Sequence, residues 1–492
     1  MAVLLFTNCE DLEPDQPPGD VTVTIENPID SICQRKADSI DNDDKDIIVN
    51  PLAICDEVIV DKSSSIYTFF IDKLTQMGIV AKEVPFCDCN PNLVLIDGQG
   101  VDLIGAVESA KGSAGSIGAP PISPNIGIDI SQFDLPTNPQ EEPNEDGDIG
   151  QNPKPDSTVY YVNSLLIPYD LSQFDNFISQ NPSGGTHRIG INDSGTDTRD
   201  QENVLRKAGW TSASKNSQCF NGSPDEFGIN IPFPSAGPTD YSGHGVAVNS
   251  IFLNKKYVNP EGGNFEFINT KFTKRSSNRG TLADLLCGMY YLIGEGANPI
   301  NVSAGFDTKQ DRFPLIEQVV RLAESKGIIL VAGTGNGKKN SNGIFEGQVL
   351  GGNLHFEPAR TFSNSDHGIA VGATNTTQTK LATFSNWSSG SEMTLAAQGE
   401  DLVCLFPGYI TSSLPDSEFR FIKRRGTSFA TPQVTGTVAA ILEKVPCIPP
   451  NEIKEILINS GQVISDPNTG DFILLDHNAA IALALSSYNC TQ

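Results

Sequence analysis

The chain has 492 residues, of which 38% are apolar and 19% charged, and its formal net charge is −27. At roughly 100–200 residues per domain, this length allows several domains with sizeable cores, which excludes a small disulfide-stapled protein and a wholly disordered chain. The negative charge is concentrated in residues 1–157, which contain 29 acidic and 8 basic residues, so nucleic acids and anionic membranes are disfavoured as partners.

Residues 1–52 are acidic and poor in aromatic side chains, and we expect them to be largely disordered. The first residues resemble a truncated signal peptide, and Cys9 with the acidic residues after it resembles the start of a mature bacterial lipoprotein. Cys9 is therefore a candidate lipid anchor, and an ordinary disordered start is the alternative. No apolar run reaches the length of about 18 residues that a membrane-spanning helix needs.

Ten cysteines are scattered along the chain, without a Cys-x-x-Cys pair and without a histidine at metal-ligand spacing. This scatter disfavours a zinc site, and the sequence names no metal ligands. Which cysteines form disulfides stays open at this point.

Residues 53–112 have the pattern of a small α+β module. The apolar runs at 57–60 and 92–96 predict strands, whereas residues 64–77 carry apolar side chains at helical spacing and end at a glycine. A second helix is predicted over 101–110.

Residues 113–157 contain eight prolines and five glycines, together with many carboxylates. Such a composition buries too little apolar surface to order itself. We therefore expect a linker between the module and the rest of the chain.

From residue 158 to residue 492, apolar strands alternate with helices. Short apolar runs predict strands at 188–191, 265–268, 299–302 and 328–332. Thr281 is a predicted N-cap of an amphipathic helix, and a second helix covers 315–322 and ends at Gly327. This alternation predicts an α/β domain whose parallel sheet is covered on both faces and whose ligands bind beyond the carboxyl ends of the strands.

Three remote side chains have the chemistry of nucleophilic catalysis. Asp193 ends the first of these strands, His244 lies between two glycines at the start of an amphipathic run, and Ser428 stands just ahead of a helix whose first turn would contain Pro432. Alone, each has an ordinary structural explanation as a turn or cap residue. A serine hydroxyl, however, needs a histidine to take its proton and a carboxylate to orient that histidine.

Asn336 adds a fourth element, because it lies in the glycine-rich segment 333–337 directly after a predicted strand. Its amide could donate a hydrogen bond to an oxyanion. With Asp193, His244 and Ser428 in this chain order, these segments resemble the subtilisin-like serine proteases, or subtilases.

The resemblance extends over residues 158–485 and implies a three-layer, parallel-sheet catalytic domain. It also implies the roles of the site residues: the catalytic triad Asp193, His244 and Ser428, the oxyanion-hole residue Asn336, and a substrate-binding strand edge at Ser303, Ala304 and Gly305.

The module at 53–112 resembles the prodomain of secreted bacterial subtilases. This implies a zymogen whose own prodomain assists folding, inhibits the active site and is removed by cleavage within or near 113–157. The implied function is a secreted or cell-envelope serine endopeptidase that acts on proteins or peptides and requires no cofactor. Calcium is implied as a candidate structural ion, with unknown ligands.

Two departures from the family pattern leave an alternative open. Asn192 stands where subtilases usually have an apolar residue, and Val246-Ala247 stand where they usually have Thr-His. The alternative is a catalytically inactive subtilase fold that serves as a surface binding or scaffold protein. An α/β-hydrolase esterase is disfavoured, because the Ser428 segment lacks the second glycine of a nucleophile elbow and the serine comes last in the chain.

Overall fold

The computed structural model describes the chain between residues 53 and 490, with gaps. The described residues are 53–87, 89–113, 121–129, 187–195, 240, 242–252, 265–273, 279–309, 312–341, 345–407 and 419–490. The predictions for residues 1–52, including Cys9, and for the linker from residue 130 to residue 157 lie outside them. All described residues belong to one compact unit, Ile48–Gln492.

The N-terminal module, residues 53–129, consists of four strands and two helices. In chain order these are β1 (Ala53–Asp61), α1 (Ser65–Gln76), β2 (Lys82–Pro85), β3 (Leu93–Asp97), α2 (Ile104–Ser113) and β4 (Ile122–Asp129). Strand β1 lies between β3 and β4 and pairs antiparallel with both. Its alternating side chains face two cores: Val58 and Val60 pack on α1 and α2, and Ile59 faces the opposite side.

Two boundaries in this module differ from the sequence predictions. Helix α2 begins at Ile104 rather than at residue 101, and the Asp102 carboxylate accepts the Ile104 N–H at 2.9 Å, one of the first-turn N–H groups that lack a partner within the helix. The predicted start of the linker is also wrong, since Ile122–Asp129 forms β4. The high proline and glycine content of 113–157 as a whole concealed the alternating apolar side chains of this strand.

The remainder of the described chain is built on an eight-stranded sheet in the order β18-β19-β15-β14-β10-β8-β5-β6. Its strands are β5 (His187–Asp193), β6 (Phe265–Lys271), β8 (Ile300–Val302), β10 (Leu330–Gly333), β14 (Gly368–Thr374), β15 (Leu395–Gln398), β18 (Gln462–Asp466) and β19 (Gly470–Leu474). Every neighbouring pair is parallel except β18–β19.

Seven further helices are described in this part of the chain. They are α3 (His244–Phe252), α4 (Leu282–Gly294), α5 (Pro314–Ser325), α6 (Ala359–Ser363), α7 (Thr427–Lys444), α8 (Ile453–Ser460) and α9 (His477–Ser487). Short strands complete it: β7 (Arg279–Thr281), β9 (Phe306–Thr308), β11 (Lys338–Lys339), β12 (Phe345–Glu346), β13 (His355–Glu357), β16 (Leu402–Pro407) and β17 (Phe419–Arg424).

The two faces of the large sheet are covered by different helices. Leu330 and Ala332 of β10 pack with α4, α5 and α6, whereas Val331 packs with α7, α8 and α9. The three-layer α/β architecture predicted from the sequence is therefore confirmed. The Thr281 hydroxyl accepts the Asp284 N–H, as its predicted N-cap role requires.

Strands β5, β8 and β10 are neighbours in this sheet, and their carboxyl ends lie at one edge. Asp193 is the last residue of β5, Ser303 follows β8, and Gly333 ends β10. This edge is where ligands bind in open parallel sheets.

Candidate active site

Asp193 and His244 are joined directly. The Asp193 Oδ1 atom lies 2.7 Å from His244 Nδ1, and both side chains are about 1% exposed. The Ser194 N–H also donates to Asp193 Oδ1, at 2.7 Å. A carboxylate at Nδ1 holds the proton on that nitrogen, so that the lone pair of the ring is on Nε2.

The start of helix α3, which carries His244, is capped by Asp240. Its Oδ1 atom accepts from the Ser242 and Gly243 N–H groups, both at 2.9 Å, and its Oδ2 atom accepts from the Val246 N–H at 2.9 Å. Asp240 is completely buried. Asp240 is not among the residues predicted from the sequence, although an aspartate just ahead of a helix start is a familiar N-capping signal.

Two serines connect Asp240 to the end of β5. The Ser194 hydroxyl donates to Asp240 Oδ1 at 2.8 Å and accepts from the Gly245 N–H at 2.8 Å, and the Ser242 hydroxyl donates to Ser194 at 2.7 Å. Because Ser194 follows Asp193 directly, this network fixes the strand end against the helix start. Gly245 is required here, since a Cβ at this position would collide with the Gly195 carbonyl oxygen.

Ser428 lies inside the first turn of α7, not ahead of it as predicted. The helix begins at Thr427, so Pro432 is an internal residue rather than a first-turn one. Proline has no N–H, and the Ser428 carbonyl four residues earlier therefore lacks its helical donor. That carbonyl instead accepts the Ser303 hydroxyl at 2.9 Å, while the Ser428 hydroxyl donates to the Ser303 carbonyl at 2.9 Å.

Ser428 and His244 lie at neighbouring helix starts. The ring of Phe429, the residue after Ser428, is 5.5 Å from the His244 ring between centroids, and both side chains are buried. The structure thus brings all three predicted triad residues to the same edge of the sheet. Asp193 is hydrogen-bonded to His244, and Ser428 is hydrogen-bonded to Ser303.

Asn336 is oriented by the start of α7. Its Oδ1 atom accepts from the Thr427 N–H at 2.9 Å and from the Thr427 hydroxyl at 3.2 Å. The amide nitrogen of the same side chain consequently points away from Thr427. Gly333 allows the loop to approach α7 this closely, because a Cβ there would lie 2.9 Å from the Thr431 hydroxyl.

The predicted substrate-binding residues Ser303, Ala304 and Gly305 run from β8 past Ser428 towards β9. Gly305 packs against Phe356, which also contacts Gly335 of the Asn336 loop. Phe356 thereby contacts both segments.

Neither departure from the family pattern disturbs the Asp193–His244 pair. The Asn192 amide donates to the Leu285 carbonyl at 2.8 Å and its oxygen accepts the Thr270 hydroxyl at 3.0 Å, on the opposite side of β5 from Asp193. Gly288 makes room for this side chain, since a Cβ there would lie 2.5 Å from its oxygen. Val246 and its neighbour Ala247 are buried within α3.

A second buried polar cluster lies behind Phe356. His355 Nδ1 is 2.7 Å from Glu392 Oε1, and Arg360 lies 3.5 Å from the same atom and 3.7 Å from Glu357. Burial raises the pKa of Glu357 from 4.5 to about 7, against the opposing effects of Thr361 and Arg360.

The described residues offer no resident metal site and no membrane span. They contain no group of three or more His, Cys, Asp or Glu side chains that could hold a metal ion, so calcium has no assigned ligands. None of their helices combines the length and apolar character needed to cross a membrane.

A model of the subtilase family matches residues 184–476. Subtilisin DY from Bacillus licheniformis is 28% identical over 195 residues, which are 39% of this chain and 59% of that protein. Subtilisin BL from Lederbergia lenta is 27% identical over 205 residues, which are 42% of this chain and 64% of that protein. The chain therefore spans less than two thirds of the length of these relatives.

The fold is shared with fervidolysin from Fervidobacterium pennivorans, described as a keratinolytic enzyme related to subtilisin. The two structures match with a TM-score of 0.55 at 17% sequence identity, over 87% of this chain and 61% of the other. At this identity the match establishes the fold.

Proposed function

Because the chain belongs to the subtilase family, we propose that it is a serine endopeptidase whose catalytic triad is Asp193, His244 and Ser428. The observation that carries this proposal is the buried 2.7 Å hydrogen bond between Asp193 and His244, beside the helix start that holds Ser428. No observation favours the inactive scaffold, since Asn192 and Val246 leave this hydrogen bond intact.

In the proposed reaction, the Ser428 hydroxyl leaves the Ser303 carbonyl and turns to His244 Nε2. His244 takes its proton as Ser428 attacks the peptide carbonyl, and then delivers that proton to the leaving amine. Asp193 holds the imidazole in the required tautomer and stabilises its charged form. The vacated Ser303 carbonyl then becomes an acceptor for a backbone N–H of the substrate.

The negative charge of the tetrahedral intermediate would be stabilised by two donors, the Asn336 side-chain amide and the Ser428 backbone N–H. The two hydrogen bonds from Thr427 to Asn336 support this role, because they fix the amide before substrate arrives. Loss of one such donor costs about 10²–10³ in kcat, a magnitude known from subtilisin itself. The Ser303–Gly305 edge is the proposed site for substrate backbone.

We further propose that the N-terminal module is the inhibitory prodomain and that the chain is cut after it. Support comes from β4, which pairs with β7 at Gly127, Ile128 and Asp129. Gly280 of β7 packs against Phe272, whose N–H bonds the Asp193 carbonyl at 3.0 Å. Because β4 is ordered up to Asp129, the proposed cleavage window narrows from 113–157 to 130–157.

The proposed setting is secreted or at the cell envelope, where protein or peptide substrates are available. A lipid anchor at Cys9 and a structural calcium ion remain proposals as well. No step of the proposed mechanism depends on a cofactor or metal.

The function is tested by incubating the purified protein with an unfolded protein substrate. We expect fragments from the wild type and none from Ser428→Ala. The matched control is Ser486→Ala, which alters an exposed serine of α9 and should cleave like the wild type. Equal fragment yields from the wild type and Ser428→Ala would refute the proposal.

A further inference from the structure

The N-terminal module is built into the rest of the protein through a shared sheet. Strand β4 pairs antiparallel with β7, with Gly127 opposite Thr281 and Asp129 opposite Arg279. The four strands of the module, β1 to β4, thus form one five-stranded sheet with β7. Backbone pairing of this kind depends little on side-chain identity, so it provides a general docking edge.

Polar contacts to helices α4 and α5 reinforce this docking. The Asn125 oxygen accepts the Ala283 N–H in the first turn of α4 at 3.1 Å, and its amide donates to Glu57 at 2.6 Å. Asn125 is 1% exposed, so it satisfies a helix-terminal N–H that would otherwise be buried without a partner. The Gln318 amide of α5 donates to Asp61 at 2.8 Å.

A common hydrophobic core lies beneath these contacts. Apolar side chains of the module pack in one cluster with those of α4 and α5, and the module contributes Ile59, Phe86, Cys87, Leu93, Ile126 and Ile128. These side chains are at most 8% exposed. Burial to this extent is typical of a domain interior rather than of a transient contact.

Within this core, Cys87 of the module is disulfide-bonded to Cys287 in the middle of α4. The two cysteines are 2% and 1% exposed, and 200 residues separate them in the chain. The proposed cleavage window, 130–157, lies entirely within that 200-residue loop. A cut there would break the polypeptide without breaking the connection between the two parts.

We propose that the Cys87–Cys287 disulfide retains the module on the catalytic domain after the linker is cut, so that the mature protein is a two-chain, disulfide-linked species. The retained partner is the module itself. Its attachment does not depend on the protein concentration, because the disulfide makes rebinding an intramolecular event. This rests on the proposed zymogen function and replaces the expectation that cleavage removes the prodomain.

Release of the module then requires reduction of this bond. The thiolate of a dithiol attacks one sulfur of the pair, forms a mixed disulfide and expels the other sulfur as a thiolate. The second thiol of the reductant then attacks the mixed disulfide, which leaves Cys87 and Cys287 as thiols and the reductant as its own disulfide. Because both sulfurs are buried, the module must undock before the first attack can occur.

The test uses the full chain carrying Ser428→Ala, with the recognition sequence of a site-specific protease inserted after Asp146. After complete cutting, we expect one linked species on a denaturing gel without reductant and two fragments with dithiothreitol. Because Cys89 of the module is also disulfide-bonded, the variant that removes the tether is C87S/C89S/C287S, and it should yield two fragments under both conditions. The matched control C447S/C490S, which removes a disulfide that lies wholly C-terminal to the cut, should remain linked.

Peptide mapping of the unreduced wild type covers the case in which C87S/C89S/C287S fails to fold. We expect a linked pair of peptides that contain Cys87 and Cys287. Its absence, separation of the fragments without reductant, or persistent linkage in C87S/C89S/C287S would overturn the proposal. These readouts do not depend on the protein's activity. The proposed peptidase function is tested separately, by comparing the fragment yields of the wild type and Ser428→Ala.

An activity measurement with a fluorogenic peptide then tests the regulatory consequence. If the wild type processes itself, its activity per molecule should stay constant on dilution and rise several-fold only after dithiothreitol treatment. An activity that rises on dilution alone would mean that the module leaves without reduction and would contradict the tether.

Discussion

The two halves of the candidate site are held by different forces. In the Asp–His half, the buried carboxylates of Asp193 and Asp240 accept hydrogen bonds from His244, from the Ser194 hydroxyl and from the N–H groups at the start of α3. Hydrogen bonds to a charged acceptor are roughly twice as strong as neutral ones. The geometry of this half therefore depends on the charge of the two carboxylates.

In the serine half, the hydrogen bonds described above for Ser428 and Asn336 join neutral groups. Ser428 and Ser303 exchange hydroxyl and carbonyl groups, and Thr427 donates twice to Asn336. The positions of these side chains are set by the start of α7 and by the Ser428 carbonyl, which Pro432 leaves without a helical donor. The comparison suggests that substitutions in the Asp–His half will act through charge and protonation, whereas those in the serine half will act through geometry alone.

The largest expected effect is that of Asp193→Asn. The amide preserves the size of the side chain but favours the wrong tautomer of His244, so kcat should fall about 10⁴-fold with little change in KM. Steady-state kinetics with a peptide substrate provide the measurement, and circular dichroism checks that the fold is retained. A loss below about tenfold would show that this carboxylate does not control His244.

Glu357 extends the comparison, because it is a buried carboxylate that accepts few hydrogen bonds. Its folded pKa of about 7 exceeds the ordinary value of 4.5, so the folded state binds the proton more tightly than the unfolded state. Its stabilising contribution is complete below pH 4.5 and is lost as the pH rises through 7. The free energy of unfolding should fall over this range by up to roughly 3 kcal/mol.

Denaturant unfolding between pH 4 and pH 8 measures this effect. Glu357→Gln should remove most of the slope, and Glu455→Gln, at an exposed position in α8, should leave it unchanged. A slope that survives in Glu357→Gln would assign the pH dependence to another group.

Asp240→Asn is expected to cost about 2 kcal/mol of stability. Both carboxylate oxygens accept N–H groups, so an amide NH₂ at either position faces a donor. The activity should fall as well, because the start of α3 shifts relative to Asp193. Asp471→Asn, on an exposed residue of β19, is the matched control, and equal stabilities of the two variants would argue against the capping role.

The smallest effect is a coupling between Ser303 and Pro432. Ser303→Ala leaves the buried Ser428 carbonyl without its hydroxyl donor and should cost about 1–2 kcal/mol. In a Pro432→Ala background the restored N–H can satisfy that carbonyl, so the same substitution should cost about 1 kcal/mol less. A double-mutant cycle measured by denaturant unfolding checks this, and strict additivity would exclude the compensation.

The parallel sheet and the Asp193, His244 and Ser428 segments could be predicted from the sequence, because buried strands and helix stripes leave periodic patterns that are local in the chain. Asp240 could not be singled out in the same way. Its importance arises from Ser194 and Val246, which approach it only in the folded protein. The Ser303–Ser428 exchange was also beyond the sequence, since it depends on where α7 begins.

The N-terminal module illustrates a different limit. Its helices and central strands follow from periodicity, but the pairing of β4 with β7, which lies 150 residues later in the chain, does not. The Cys87–Cys287 bond likewise joins residues that only the docked fold brings together. Long-range pairings of this kind leave no local pattern in the sequence.

The most direct test of the catalytic assignment is to treat the protein with a fluorophosphonate and locate the label by mass spectrometry. We predict that Ser428 is labelled in the wild type. In Asp193→Asn the labelling rate should fall at least a thousandfold, which corresponds to an increase of about 4 kcal/mol in activation free energy. A wild type that takes no label, a label on a different residue, or equal labelling rates in the two proteins would contradict the account.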